Sequence, residues 1–411
     1  MAVFWIKQLV YGLQFTVGWR KQPYAVNRKP LFFGYVSGTN RIYLNIFAGT
    51  FWVQIGYFDM ENKLSFDFGI TQQIITKLGL LDTFKGQWQA LEKKENRYLQ
   101  ELRHIATIES IGSSTRIEGA TLPDNEIDKL LNKVKITKLT RRDEQEVVGY
   151  YEALDVVLDN YSNFTLTENN IKHLHKILLR HSDKDKHHLG NYKILSNKVV
   201  ANYSKGVQKV IFNTTDPHLV QKEMQELLQW ANESFENNKV HPLLVIAAFV
   251  YEFLSIHPFQ DGNGRLSRLI TTLLLLQTGY HFVQYMSFEH LIENKKKNYY
   301  AALMSGQKNR YTKKEKIHEW ILFFLESMIE LTSKLETKYK VYQSKGGYLN
   351  DRQKKILSIV KKIQPAGLTG ITSQIPKLSR NTLKKDLLYL LHQHLLEKVG
   401  RGRATMYILK N

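Results

Sequence analysis

The chain has 411 residues, of which 43% are hydrophobic, and this length allows two or three domains with buried cores. Its formal net charge is +20 and it has no cysteine, which excludes disulfide bonds and thiolate zinc sites. No Gly-Lys dipeptide occurs, which excludes a conventional P-loop nucleotide site. Since no run of twenty apolar residues is present, we expect no membrane contact and a cytoplasmic location, which a cysteine-free chain suits.

Residues 1–59 form an aromatic and basic leader that resembles no family we recognise. It lacks the basic region, apolar core and cleavage site, in that order, of a secretion signal. One interpretation is that Met60 is the natural start and the leader is not native. The other is a small accessory segment. We therefore leave this segment unassigned.

Helical patterns dominate residues 60–342. The segment 243–256 is apolar nearly all round, which predicts a buried central helix, and 269–276 predicts a second core helix. A further helix is predicted over 102–117, stopped by Gly119. The other predicted helices start at Pro123-Asp124 or cover residues 144–158, 167–179, 217–232 and 313–342.

Residues 192–202 and 207–213 are rich in β-branched and aromatic side chains. The turn signal Tyr203-Ser204-Lys205-Gly206 separates them, so the sequence predicts a β-hairpin here.

The tail, residues 345–411, has 14 Lys and Arg against three Asp and Glu, a net charge of +11. The pattern predicts helices over 351–363, near 370–374 and over 381–394, then strands over 395–399 and 404–409. This order resembles a winged helix-turn-helix in which Ser379 caps the recognition helix. Contact with DNA is one hypothesis and protein contact the other. The candidate DNA-contacting residues are Arg380, Lys384, Lys385, Arg401 and Arg403.

The densest cluster of reactive residues is His257-Pro258-Phe259-Gln260-Asp261-Gly262-Asn263-Gly264-Arg265-Leu266-Ser267-Arg268. Pro258 and the two glycines oppose a regular helix, whereas the run after Gly264 favours one. The loop should therefore lead into a helix N-terminus, which binds anions. Arg265 and Arg268 lie three residues apart, so both can face the same anion.

The chemistry of this loop suits nucleotide transfer. His257, with an ordinary pKa near ~6.5, can accept a proton from a hydroxyl group at neutral pH. Asp261 offers the hard oxygen ligand that Mg²⁺ prefers. Backbone and amide donors for phosphate oxygens are expected from Gly262, Asn263 and Gly264.

The loop resembles the Fic family signature, His-Pro-Phe-any-acidic-Gly-Asn-Gly-Arg-any-any-Arg, without departure. Gly190-Asn191-Tyr192 and Tyr299-Tyr300 also resemble Fic segments, and the resemblance covers residues 61–335. It implies a mainly α fold, a Fic helical bundle whose hairpin flap holds the target by strand addition. It also implies that AMP passes from ATP to a protein hydroxyl, with Mg²⁺ at Asp261 and the second arginine, Arg268, at the γ-phosphate. Tyr299 and Tyr300 are expected to offer stacking surface to the nucleotide.

Ser113-Ser114-Thr115-Arg116-Ile117-Glu118-Gly119 resembles the inhibitory motif of one Fic class, with Ser114, Glu118 and Gly119 in the fixed places. A carboxylate in the last turn of a helix is disfavoured by the helix dipole and gains from a cationic partner. The resemblance implies that this partner is Arg268. The ion pair would then occupy the place of the γ-phosphate.

We therefore divide the chain into the leader, an N-terminal helical region with the inhibitory helix (60–140), a Fic catalytic core (141–335) and a winged-helix-like domain (345–411). The leading hypothesis is a restrained protein adenylyltransferase that modifies Ser, Thr or Tyr hydroxyls, its own included, and releases pyrophosphate. Removal of AMP and transfer of another nucleotide are alternatives at the same site. A DNA-binding regulator acting through the tail is a third. A homodimer is a further hypothesis.

Overall fold

The computed structural model describes residues 33–35, 41–46, 49–54, 59–92, 96–133, 139–202, 208–344, 351–376, 378–392, 395–400, 402 and 405–410. The fold is mainly α-helical with small antiparallel sheets, as predicted. Within the leader, three strands pair in chain order to form one sheet, β1 (Phe33–Tyr35), β2 (Arg41–Ile46) and β3 (Gly49–Gln54). None of the helices in the described ranges is both long and apolar enough to cross a bilayer.

Helices account for most of residues 59–344. They are α1 (Met60–Lys63), α2 (Phe68–Glu92), α3 (Asn96–Ile117), α4 (Asp124–Leu131), α5 (Arg142–Asn160), α6 (Glu168–Leu178), α7 (Pro217–Asn237), α8 (Pro242–Ile256), α9 (Asn263–Gln277), α10 (Phe288–Asn294), α11 (Lys296–Gln307) and α12 (His318–Ser344). Short 3₁₀ helices lie at Tyr161–Asn163 and His281–Gln284.

Helices α8 and α9 form the centre of the bundle. In each helix, thirteen of the fifteen residues are buried. A large apolar side chain that is fully removed from water contributes about 1.5–3 kcal/mol, so this pair is among the most firmly held parts of the fold. The loop that joins the two helices is residues 257–262, and its ends are therefore fixed by the core.

Helix α2 was not predicted from the sequence. Only four of its 25 residues are buried, Ile74, Leu78, Leu81 and Trp88. It also contains three glycines, which lower helix propensity. The apolar signal is therefore too sparse to identify, although Trp88 stacks on Phe84 at 5.7 Å between ring centroids.

Several helix boundaries differ from the prediction. Helix α3 begins at Asn96 rather than 102, and α7 continues to Asn237 rather than 232. Helix α12 begins at His318 rather than 313. Apolar residues do not mark these boundaries, since Leu99 is buried inside the added turn of α3 and Ile317 is buried just before α12 begins. The helix ends are therefore set by tertiary packing.

The predicted hairpin is present. Strands β4 (Lys198–Asn202) and β5 (Gln208–Asn213) pair antiparallel, with Val200 opposite Val210. The first strand begins at Lys198 rather than at 192. The predicted turn at 203–206 lies outside the described residues.

The tail has its own hydrophobic core, separate from that of the helical bundle. Its helices and its last two strands follow the predicted order, whereas strand β6 was not predicted. The elements are α13 (Asp351–Ile363), β6 (Ala366–Gly367), α14 (Leu368–Gln374), α15 (Arg380–His392), β7 (Leu396–Val399) and β8 (Met406–Leu409). The sheet order is β6-β8-β7. Ser379 caps α15, since its Oγ accepts from the backbone N–H of Thr382 at 3.2 Å. The winged-helix assignment and the domain boundaries stay predictions.

Candidate active site

The loop between α8 and α9 is shaped by two residues with left-handed backbone angles. His257 ends α8 with a φ of +53°, and Gly262 precedes α9 with a φ of +79°. Asp261 accepts from the backbone N–H of Gly262 at 2.6 Å. Since Gly262 adopts this conformation at little cost, the chain turns sharply and presents the first N–H groups of α9 to one side.

Asn263 closes the loop from within. Its Oδ1 accepts from the N–H of Phe259 at 2.8 Å, and its Nδ2 donates to the carbonyl of Phe259 at 2.7 Å. The residue is 1% exposed. The oxygen and the nitrogen of its side-chain amide are thus both bonded within the loop. Only its backbone N–H is still predicted to contact a phosphate.

The ring of His257 is oriented by the backbone. Its Nδ1 lies 3.2 Å from the carbonyl oxygen of Leu254, so Nδ1 carries the proton and Nε2 is the free base of the neutral ring. Burial, followed by the charge of Lys193, lowers the pKa of His257 to about 4. The ring is therefore neutral at physiological pH and ready to accept a proton.

Asp261 and Arg265 form an ion pair at the base of the loop. The Arg265 Nη2 atom lies 3.3 Å from Oδ1 of Asp261, and its Nη1 lies 3.5 Å from Oε2 of Glu146. Burial opposes ionisation of Asp261, but the charge of Arg265, the hydrogen bond from Gly262 and the charges of Lys184 and Arg142 together outweigh it and lower the pKa of Asp261. The other carboxylate oxygen, Oδ2, lies 3.6 Å from Nζ of Lys184. Asp261 is therefore ionised, as a metal ligand must be.

Glu118 and Arg268 are in direct contact. Arg268 Nη2 lies 2.7 Å from Oε1 of Glu118, which confirms the proximity predicted from the two motifs. Ser114 adds two acceptors to the same guanidinium group, its Oγ at 2.8 Å and its carbonyl oxygen at 2.9 Å. Burial opposes ionisation of Glu118, but the charge and the hydrogen bond of Arg268 keep the pKa of Glu118 below its ordinary value. The pair is therefore fully charged at neutral pH.

Two glycines permit this contact, one by its backbone angle and the other by its lack of a side chain. Gly119 has a φ of +111° and lets the chain leave α3 immediately after Glu118. On the other side, a Cβ atom at Gly264 would lie 2.1 Å from Oε1 of Glu118. The glutamate therefore lies directly against the N-terminal turn of α9.

A cavity of about 450 Å³ brings these residues together. Tyr299 and Tyr300 form part of its wall, with their rings 5.3 Å apart and nearly perpendicular. The other lining residues are Glu118, Arg142, Lys184, Lys198, Leu254, His257, Gln260, Asp261, Gly262, Asn263, Gly264, Arg265, Arg268 and Leu303. The site residues predicted between positions 114 and 300 thus line this cavity or lie next to residues that line it.

Lys193 is a buried residue that sequence reasoning missed. Its ammonium group donates to Oδ1 of Asn197 at 2.8 Å, Oγ1 of Thr214 at 2.7 Å and the carbonyl of Ile256 at 3.1 Å. Burial lowers the pKa of Lys193 to about 8. This lysine therefore ties both ends of the hairpin to the end of α8. The one signal for it in the sequence is that Lys193 directly follows Gly190-Asn191-Tyr192.

His175 was missed as well. Its ring stacks on Phe259 with 3.8 Å between centroids. Its Nδ1 accepts from the N–H of Gly190 at 3.0 Å, so Nε2 carries the proton and donates to the carbonyl of Asp261 at 3.0 Å. Burial lowers the pKa of His175 to about 4. This neutral histidine supports the loop from behind.

The candidate DNA-contacting residues of the tail lie apart from this cavity in the sequence. Arg380, Lys384 and Lys385 are exposed on α15. Arg401 and Arg403 lie outside the described residues, so contact with DNA stays a prediction.

Comparison with known proteins places part of the chain in a family. The Fic/DOC family model matches residues 165–275. The chain is 41% identical over 66 residues to a Fido domain-containing protein of Dictyostelium discoideum, which is 16% of this chain and 46% of that protein. It is 46% identical over 57 residues to the protein adenylyltransferase Fic of Drosophila mojavensis, which is 14% of this chain and 11% of that protein. The match covers less than half the length of either relative.

A solved structure extends the likeness to the fold. The crystal structure of a Fic family protein from Desulfovibrio desulfuricans matches with a TM-score of 0.57 at 21% identity, covering 84% of this chain and 97% of that one. At this identity the likeness shows the fold alone. The family match, in contrast, spans the hairpin, α8, the His257 loop and most of α9. The chain therefore contains a Fic/DOC family domain over residues 165–275.

Proposed function

We propose that this protein transfers AMP from ATP to a hydroxyl group of a protein and that Glu118 restrains this activity. The observation that carries the proposal is the free Nε2 of a neutral His257 in the same cavity as Arg268 and the N-terminus of α9. The relatives named protein adenylyltransferase support a nucleotidyl transferase at the level of the family.

The residues supply each part of such a reaction. The attacking hydroxyl oxygen forms a bond to the α-phosphorus, and its proton passes to Nε2 of His257. The bond from the α-phosphorus to the bridging oxygen breaks, and pyrophosphate leaves. The first N–H groups of α9 have no partner within the helix and would bind the phosphates. The guanidinium group of Arg268, once released by Glu118, adds a forked donor for the leaving group.

The donor set also fits Mg²⁺. Asp261 is ionised and about a third exposed at the cavity wall, and Mg²⁺ typically takes one or two carboxylates together with substrate phosphates. The ion would neutralise charge on the phosphates. The chain itself supplies the base, His257, and the anion-binding site at the N-terminus of α9.

Restraint follows from the position of Glu118. Its carboxylate pairs with Arg268 and lies against Gly264, where a phosphate would have to approach the α9 N-terminus. The terminal phosphate of ATP and Glu118 then compete for the same guanidinium group. A competing interaction of about 1.4 kcal/mol shifts such an equilibrium tenfold.

The proposal is tested with ATP labelled on the α-phosphate, with Mg²⁺, on three proteins: wild type, Glu118→Gly, and Glu118→Gly with His257→Ala. We expect label on the Glu118→Gly protein at about tenfold or more above wild type, and none on the double variant. Equal labelling of wild type and Glu118→Gly at every ATP concentration would show that Glu118 does not restrain the activity. Undiminished labelling of the double variant would show that His257 is not the base.

One observation favours a second candidate at the same site. The carboxylate of Glu118 lies in the cavity that also holds His257, and a third of its side chain is exposed. A carboxylate there is able to orient water toward a bound AMP group, which would make the wild type remove AMP. Incubating labelled Glu118→Gly protein with unlabelled wild type distinguishes the two, since removal releases the label as free AMP.

A further inference from the structure

Arg116 lies at the centre of a polar cluster behind the restraining glutamate. Its Nε and Nη2 atoms donate to the two carboxylate oxygens of Glu293 at 2.8 and 3.1 Å. Its Nη1 donates to Oδ1 of Asp124 at 2.8 Å and to the carbonyl of Leu122 at 3.2 Å. A paired, forked contact of this kind fixes the orientation of the guanidinium group as well as its position. Burial opposes the charge of Arg116, but Glu293 and Asp124 outweigh it and raise the pKa of Arg116.

Apart from Ser113 on α3 itself, whose Oγ accepts from Nη2 at 3.2 Å, the partners of Arg116 belong to three separate segments. Glu293 lies in the last turn of α10, Asp124 is the first residue of α4, and Leu122 lies in the turn that follows Gly119. Gly112, one turn before Arg116 on α3, leaves the necessary space, because a Cβ atom there would lie 2.3 Å from Oδ1 of Asp124. Arg116 thus joins the end of α3 to the two helices that flank it.

A second tie holds the same turn. Lys296, at the start of α11, donates from Nζ to the carbonyl oxygen of Ile117 at 2.6 Å. Burial lowers the pKa of Lys296, and the charge of Glu118 partly offsets this effect. Helix α11 also carries Tyr299 and Tyr300 of the cavity wall. The residues immediately before Glu118 are therefore fixed to the same elements that form the nucleotide cavity.

Glu118 needs such support. It follows the last residue of α3, where the helix dipole disfavours a carboxylate, and the next residue is a glycine with a positive φ. Contacts on either side of this turn limit fraying at the end of α3 and narrow the range of positions open to the carboxylate. The two hydrogen bonds between Ser114 and Arg268 act in the same direction.

We propose that Arg116 is a positioning residue of the restraint: by holding the end of α3 to Glu293 and Asp124, it sets how strongly Glu118 occupies Arg268. This inference rests on the proposed function, because it concerns the strength of the same restraint.

The test measures AMP transfer by Arg116→Met in the wild type and in the Glu118→Gly background. We expect a rise of about fivefold or more in the wild-type background, the lower end of typical coupling between sites. No further rise is expected in the Glu118→Gly background, where nothing remains to be positioned. A purely structural role for Arg116 would lower activity in both.

Arg103→Met is the matched control. Arg103 lies on the same helix, and its ion pair with Asp159 is long, at 3.9 Å, and exposed. Its loss should leave activity unchanged. If Arg116→Met does not fold, as judged by circular dichroism and thermal unfolding, Glu293→Gln and Asp124→Asn remove the charge of its partners and weaken the same contacts from the other side. They should give a smaller rise in the same direction.

Three results would overturn the inference: unchanged or lower activity of all three cluster variants, an equal rise in both backgrounds, or an equal rise in Arg103→Met. The proposed function fails separately, by an inactive Glu118→Gly protein. In that case no restraint exists for Arg116 to position, and the inference fails with it.

Discussion

Oε1 of Glu118 occupies space that is available only because residue 264 is a glycine: a Cβ atom there would lie 2.1 Å away. The two residues come from two separate sequence motifs, and the lack of a side chain at residue 264 leaves space for the carboxylate of Glu118. Gly264 belongs to the first turn of α9, which the proposed function assigns to phosphate binding. The restraining carboxylate thus lies on the element it would deny to ATP.

Gly264→Ala should disrupt this fit. The added methyl group displaces the end of the Glu118 side chain and weakens its pair with Arg268. Because the atom nearest the added methyl group is the movable end of a side chain, we expect a cost at the lower end of the range for overpacking, about 1 kcal/mol in the free energy of unfolding. In the Glu118→Gly background the obstacle is gone, so the cost should be clearly smaller. Denaturant unfolding of the four proteins measures both values, and equal costs would show that the two residues do not meet in solution.

The rate of the Glu118→Gly protein should be insensitive to pH over a wide range. His257 acts in its neutral form, and its pKa is lowered to about 4 by burial and by the charge of Lys193. The charge of Glu118 raises this pKa, so its removal does not move the acid limb upward. We expect kcat/KM to stay level down to about pH 5 and to fall as the pH approaches 4. An acid limb near pH ~6.5, the ordinary value for histidine, in a protein shown by circular dichroism to be folded, would contradict this assignment.

Lys193→Met, made in the Glu118→Gly background, should move that limb. Removing the positive charge makes protonation of His257 easier, which raises the pKa of His257, so activity should be lost at a higher pH than before. The rate itself should also fall, because the ends of the hairpin lose their tie to Ile256. Lys172→Met is the control, since Lys172 lies over the ring of Tyr192 and not beside His257. If the rate falls but the pH of the acid limb does not change, Lys193 has only a structural role.

Acid should destabilise the fold through the two buried histidines. His175 and His257 have pKa values lowered to about 4, below the value of about 6.5 expected in the unfolded chain. Between these values the unfolded state binds more protons, so the free energy of unfolding falls as the pH drops from about 6.5 to about 4 and is undiminished above that window. His175→Gln should flatten part of this dependence in denaturant titrations, and an unchanged dependence would contradict burial of a neutral His175.

The sequence was informative where the signal is local. The all-apolar run of α8, the β-branched segments of the hairpin and the fixed spacing of the His257 loop each lie within a few residues, and the structure has all three. The proximity of Glu118 and Arg268 is not local. It was predicted only through the resemblance of two separate motifs to one family.

The remaining features depend on tertiary contacts. Lys193 donates to groups from the hairpin base and from α8, and no pattern in its own neighbourhood marks such a lysine. The side chain of Asn263 was expected to face phosphate but is bonded to Phe259, because the loop must satisfy its own backbone groups before it binds a ligand. No role for Arg116 is predicted from the sequence, since its partner Glu293 lies 177 residues away.

The central claim is that the α-phosphate of ATP, and not the γ-phosphate, ends on a protein hydroxyl. The most direct measurement gives the Glu118→Gly protein ATP labelled on one phosphate or the other in parallel reactions, with the protein itself and a cell lysate as hydroxyl acceptors. The account predicts protein-bound label from the α-position only, with the γ-label released in pyrophosphate. Protein-bound γ-label, or no label from either position in a folded protein, would contradict it.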